Sequence, residues 1–173
     1  MHTGSAVRGS GIDVKIAVCV LGIASVLLHG AGQAAELSGR VVRVSDGDTI
    51  AIVDAERNRY RVRLAGIDAP ERKQAYGKVS KQQLASQLLG KVVLVEWHKL
   101  DRYGRLVGKV NIDANDAGLG QIRSGMAWHY RQYASEQSSS DQMAYAAAEV
   151  NARRARIGLW KGPEPIPPWE FRH

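Results

Sequence analysis

The chain has 173 residues, with 24 Lys and Arg against 17 Asp and Glu, a formal net charge of +7, and one cysteine. That length suits one ordinary core with terminal extras and leaves little chain for a second independent domain. A lone cysteine excludes an intramolecular disulfide framework. The basic balance favours a polyanionic partner, nucleic acid or an anionic membrane surface, although a solvated charged face is the commoner cause of such a charge.

In chain order, Arg8 and Lys15 precede the apolar run IAVCVLGIASVLL at 16–28, and the small-residue stretch HGAGQAA follows. That is the order of a secretory signal over residues 1–35, with charged, apolar and cleavage regions in turn. The run is short for a membrane span, which needs about 20 apolar residues. Cleavage after Ala34 would leave Gly32 and Ala34 at the two positions that require small side chains. An uncleaved anchor at 16–28 is the alternative. Cys19 lies in that run, so the mature chain would have no thiol chemistry, and its core alone would hold it. Without Arg8, Lys15 and Asp13 the balance is 22 basic to 16 acidic residues, a net charge of about +6.

From 37 to about 66, three β-rich runs, LSGRVVRVS, TIAIVDA and NRYRVRLAGI, are separated by turn residues at Asp46-Gly47 and at 54–58. They read as an antiparallel meander. In the third run Arg59, Arg61 and Arg63 alternate with Tyr60, Val62 and Leu64, giving one apolar face and one row of guanidiniums. For Arg59 and Arg61 a solvated face is the simpler reading. Residues 73–89 switch to helical spacing, with Tyr76, Val79, Leu84, Leu88 and Leu89 as the apolar stripe and Gly90 as the stop. Strands follow at 91–97 and 105–112, then a short helix near 116–124, then MAWHYRQY. A last helix spans about 138–156, with Met143, Ala146, Ala147, Val150 and Ala155 as its apolar residues. The tail at 161–173 holds Pro163, Pro165, Pro167 and Pro168, which exclude a continuing helix. It is expected as an extended strap, with Trp160 and Trp169 as anchors. Five short strands with a helix inserted after the third predict an α+β, mainly β fold: a five-stranded barrel of OB type with three helices.

Asp46-Gly47-Asp48 alone is an ordinary hairpin signal. An EF-hand loop is excluded, because counting from Asp46 puts Ile50, Ala51 and Arg57 where Asp or Asn, Gly and Glu are required; counting from Asp113 also fails. A second piece, RLAGIDAPE at 63–71, puts Asp68 at a strand end, and Pro70 breaks the pairing before Glu71. These carboxylates and Asp48 could meet one hard cation. A third piece, DRYGR at 101–105, is a turn that delivers Arg105 to the start of a strand.

Taken in this order, Asp-Gly-Asp-Thr, Arg-x4-Asp-x-Pro-Glu and Asp-x-Tyr-Gly-Arg resemble the staphylococcal nuclease (thermonuclease) family. The match continues into GMAWHYRQYA and GLW, so it covers about 37–160 and supports a domain at 36–160. The resemblance implies an OB-fold barrel with three helices and an exported nuclease, secreted or periplasmic, that uses Ca²⁺. It implies that Asp48, Asp68 and the Ala69 carbonyl hold the metal, that Glu71 activates water, and that Arg63 and Arg105 flank the scissile phosphate. Tyr103 is carried over as a substrate contact. Tyr130 and Tyr133 are candidates only, because the aromatic spacing there departs from the family pattern. The family cuts DNA and RNA, leaves 3′-phosphates and prefers single-stranded or breathing substrate. A monomer without stable membrane association after cleavage is expected.

The residue types suit that chemistry. All-oxygen ligands without Cys or His favour Ca²⁺ or Mg²⁺ over Zn²⁺. Ca²⁺ takes six to eight oxygens and the protein offers about three, so water and phosphate must complete the shell. His98 and His129 read as surface or packing residues. The competing class is a noncatalytic nuclease-like barrel that binds nucleic acid or protein. Retention of Asp48, Arg63, Asp68, Glu71 and Arg105 together argues against it.

Overall fold

β-Branched and aromatic alternation governs the first half of the chain, and there the strands form where the pattern puts them. The structure is a computed structural model that describes Met1 and residues 35–172. The expected signal or anchor segment lies outside the described residues. Strand β1 (Ala35–Val44) pairs antiparallel with β2 (Thr49–Val53), and β2 pairs with β3 (Arg59–Leu64). The two-residue β4 (Ile67–Asp68) follows, then helix α1 (Gly77–Leu88). Strands β5 (Val92–Leu100) and β6 (Leu106–Ile112) form the second hairpin, and β7 (Asn115–Asp116) leads into α2 (Ala117–Arg123). β8 (Trp128–His129) pairs back onto β4. A 3₁₀ turn at Arg131–Glu136 precedes α3 (Ser139–Arg154), another lies at Gly158–Lys161, and α4 (Pro168–Phe171) ends the described chain.

β5 joins β1 on its free edge, and β6 closes the circle by pairing parallel with β3, Val62 opposite Leu106 and Arg63 opposite Val107. The result is the expected closed, five-stranded mixed barrel with helices. Register shifts at Val41/Arg43 in β1 and Trp97/Lys99 in β5 bend the two strands that must curl most. The first also breaks the in/out alternation, leaving Val42 and Arg43 outside and Val44 inside. Gly108 lets β6 approach the second bulge: a Cβ there would lie 2.5 Å from the Glu96 carbonyl oxygen. Inside the barrel Val41, Ile50, Ile52, Val62 and Val95 are fully buried, with Leu84 and Leu88 of α1 closing one end. Each such side chain contributes about 1.5–3 kcal/mol by leaving water.

Two helices differ from expectation. α1 starts at Gly77 rather than 73, because residues 71–77 form successive turns closed by Gln74 N–H on the Glu71 carbonyl (2.8 Å) and Gly77 N–H on that of Gln74 (3.0 Å). Its buried face is Gly77, Ser80, Leu84 and Leu88, while Val79 and Leu89 are exposed. In α3 the buried face is Tyr145, Ala148, Glu149 and Ala152; Met143 and Val150 point to solvent. The one large side chain able to reach the core, Tyr145, fixes the rotation of the helix. Its hydroxyl donates to Asp116 Oδ2 at 2.8 Å, and Asp116 in turn caps α2 through Leu119 N–H.

The tail is a strap, with one correction. Trp160 is buried against Trp128, ring centroids 5.3 Å apart and edge-on, as expected of an anchor. The last residues nevertheless form the short α4, because Pro168 stands at its first turn, where a missing N–H costs nothing.

Candidate active site

The barrel brings the three sequence motifs to one cleft of about 630 Å³, whose walls include Asp48, Arg63, Asp68, Ala69, Glu71 and Arg105. Asp48 ends the β1–β2 connection, and Thr49 is opposite Arg63 in the ladder, so the acid and the guanidinium meet across one strand pair. The parallel β3–β6 pairing brings Arg105, one residue before the Val62–Leu106 pair, into the same cleft as Arg63 and within reach of Thr49. Asp68 is carried by the β4–β8 pairing, and Ala69 N–H turns back to donate to Asp48 Oδ2 at 3.0 Å. Glu71, three residues on, is held by its N–H on Gln74 Oε1 at 3.0 Å.

Arg63 lies between the two aspartates. Nη1 is 2.8 Å from Asp48 Oδ2 and Nη2 is 3.1 Å from Asp68 Oδ1. Nη1 is buried against Asp48 as a close ion pair. Arg105 is oriented from the turn behind it: Nε donates to Asp101 Oδ2 at 2.7 Å and Nη1 to Thr49 Oγ1 at 3.2 Å. Asp101 also accepts from the N–H groups of Tyr103 and Arg105. Burial would raise its carboxyl, but these donors outweigh it and hold the pKa low.

The electrostatics separate the acids. Burial would raise Asp48, but the Arg63 charge and Ala69 N–H keep it low and ionised. Asp68 is raised by burial and by repulsion from Asp48, against hydrogen bonding from Arg172. Burial followed by the Asp48 charge pushes Asp46 up to about 7. Burial would lower Arg63, but Asp48 and Asp68 reverse that and raise it.

Several contributors carry no motif signal. Asp46, read as a turn residue, also lines the cleft and accepts from Asp48 N–H at 3.3 Å. Beneath it, Gln121 of α2 is fully buried and donates to the Gly47 carbonyl (2.8 Å) and to Ser80 of α1. Gly47 has no room for a side chain, since a Cβ would stand 1.9 Å from Ser80 Oγ and 2.7 Å from the Ala69 Cβ. From the far end of the chain, Arg172 pairs with Asp68 and Glu71, each at 2.8 Å. The contacts of Gln121 and Arg172 join distant segments, so no local spacing announces them.

The three candidate tyrosines line the same cleft. Tyr103 is exposed, with Arg102 and Arg105 over its ring at 4.9 and 5.5 Å. Tyr130 and Tyr133 meet edge-on at 5.2 Å, and Lys99 stands over Tyr133 at 4.9 Å. His98 and His129 are outside the site: His98 contacts Glu136 (3.3 Å), and buried His129 contacts Gln137 (3.0 Å) and packs against Tyr145.

Ionised Asp48 facing Asp68, with Asp46 behind, is a hard, anionic oxygen set that fits a divalent cation of the Ca²⁺ type in kind. It is sparse in number: among the described residues no three His, Cys, Asp or Glu side chains group to hold a metal. Two carboxylates and a backbone oxygen leave most of a Ca²⁺ shell to water and phosphate.

A closed mixed barrel with an acidic centre flanked by two arginines defines an OB-like nuclease class. Residues 61–162 match the family model described as staphylococcal nuclease homologue. An uncharacterized endonuclease of Escherichia coli O157:H7 is 41% identical over 140 residues, 80% of this chain and 87% of that protein. A micrococcal nuclease of Shigella flexneri is 40% identical over 159 residues, covering 86% of this chain and 88% of its own. A staphylococcal-like nuclease of Arabidopsis thaliana shares 38% identity over 115 residues, 66% of this chain and 33% of that protein. The chain belongs to the staphylococcal nuclease family.

Proposed function

We propose that the protein is an exported, Ca²⁺-dependent nuclease that hydrolyses phosphodiester bonds of DNA and RNA, acting as a monomer on single-stranded or breathing substrate. The observation that carries this reading is the convergence of Asp48, Asp68, Glu71, Arg63 and Arg105 on one cleft, in a chain whose relatives are named nucleases. Export rests on the order of residues 1–35 alone.

A phosphodiester is an anion that repels incoming oxygen nucleophiles, so the site must neutralise it, activate water and stabilise added charge. Asp48, Asp68 and the Ala69 carbonyl would hold Ca²⁺, which when bound supplies positive charge against the phosphate. Arg63 and Arg105 are two fixed guanidiniums whose planar forks can each grip two phosphate oxygens. Their partners, Asp48, Asp68 and Asp101, fix them before substrate arrives, and preorganised charge of this kind is commonly the largest catalytic contribution. Glu71 is the acid with an accessible side chain, about 40% exposed, and is the general base that removes the proton from attacking water. Tyr103, Tyr130 and Tyr133 offer ring faces to unstacked bases.

The test is Glu71→Gln. Proton transfer to a positioned base contributes about 10²- to 10⁴-fold, so kcat should fall by that factor while DNA affinity changes little. Cleavage at the wild-type rate would remove Glu71 from the base role.

A further inference from the structure

We infer that the C-terminal strap is a built-in stop, holding Arg172 on the carboxylates that the cation and the attacking water require. The inference rests on the metal and general-base roles proposed above. Arg172 Nη2 lies 2.8 Å from Asp68 Oδ2, and Nη1 lies 3.3 Å from Asp68 Oδ1 and 2.8 Å from Glu71 Oε1. One guanidinium therefore spans a proposed metal ligand and the proposed base. The other side of Asp68 is taken by Arg63, and only 2% of the Asp68 side chain is exposed, so a cation can reach Oδ2 only by displacing Arg172.

The arginine is delivered to that position by contacts remote from the carboxylates. Trp169 stacks on Tyr130 with centroids 5.4 Å apart and 24° between planes, and meets Trp128 edge-on at 6.4 Å. Gln74, whose Oε1 accepts from Glu71 N–H, donates through Nε2 to the Ile166 carbonyl at 2.5 Å. The strap is thus tied to the same turn that carries Glu71. Its stacking partner Tyr130 also lines the substrate cleft, so a base that stacks on this ring competes with Trp169. Cation and substrate each oppose the seated strap, so either one loosens it and the two together release it.

The alternative is that Arg172 stays in place and binds phosphate as a third catalytic guanidinium. Calorimetric titration of the full chain with Ca²⁺ in the absence of nucleic acid separates the two, using wild type, Arg172→Gln and Trp169→Ala. Trp169→Ala unseats the strap without altering a charge. The stop predicts tighter Ca²⁺ binding in both variants, by about fivefold or more, at the lower end of ordinary couplings between sites. It also predicts faster amide exchange at 163–172 in the wild type once Ca²⁺ is added. Unchanged or weaker Ca²⁺ affinity in both folded variants would overturn the stop. If those variants bind Ca²⁺ like wild type and all three cut DNA, the stop fails and the nuclease reading stands. If no protein binds Ca²⁺ or cuts DNA, both fail together.

Discussion

Asp46 and Asp48 are two residues apart in one turn, yet the fold gives them opposite protonation behaviour. Asp48 faces Arg63 and stays ionised, whereas Asp46 is partly buried beside the Asp48 charge and its pKa is pushed up to about 7 from 3.8. The Asp46 contribution to stability is fully present below about pH 4 and is lost as pH rises through about 7, because the folded state holds the proton more tightly. Asp46→Asn has no proton to lose. Measured with chelator present, its Tm relative to wild type should rise between about pH 4 and about pH 8; a difference independent of pH would contradict the assignment. At this scale most of the residues that meet in the cleft were legible in the sequence. Asp48, Arg63, Asp68, Glu71 and Arg105 all stand at strand ends or turns whose local patterns are strong. Arg172, Ser80 and Gln121 were not legible, since their partners lie 104, 46 and 74 residues away.

Among the elements, the strands followed their alternation outside the bulges, whereas α1 and α3 departed from theirs. Both faces of a barrel strand are fixed by the pleat, so Val62 and Leu64 inside dictate Arg61 and Arg63 outside. A helix rich in alanine has no such constraint. α3 presents several weakly apolar faces, and the one that docks is chosen by Tyr145, whose hydroxyl reaches Asp116, and by Ala148 and Ala152, which allow close approach. The sequence reading favoured Met143 and Val150 on hydrophobicity and missed that contact. Tyr145→Phe should cost about 1–2 kcal/mol in denaturant unfolding, because Asp116 loses a donor in a site shared by α2, α3 and β6. A cost below about 0.3 kcal/mol would mean that ring packing alone fixes the helix.

For the whole molecule, barrel closure is what makes a site out of separate motifs. The β3–β6 pairing carries Arg105 to the cleft that holds Arg63, the β4–β8 pairing carries Asp68 to the Arg63 guanidinium that also meets Asp48, and α1 and α2 hold the Asp46–Asp48 turn from below through Ser80 and Gln121. The C-terminal strap then lies across the same cleft, so the chain's last described residues bear on the chemistry of its first turn. A net charge of about +6 over residues 36–173 draws a polyanion to this surface without selecting its sequence. The most direct test is incubation of the protein with heat-denatured DNA, once with Ca²⁺ and once with chelator. The account predicts degradation with Ca²⁺ and intact DNA with chelator; undiminished DNA in both would contradict it.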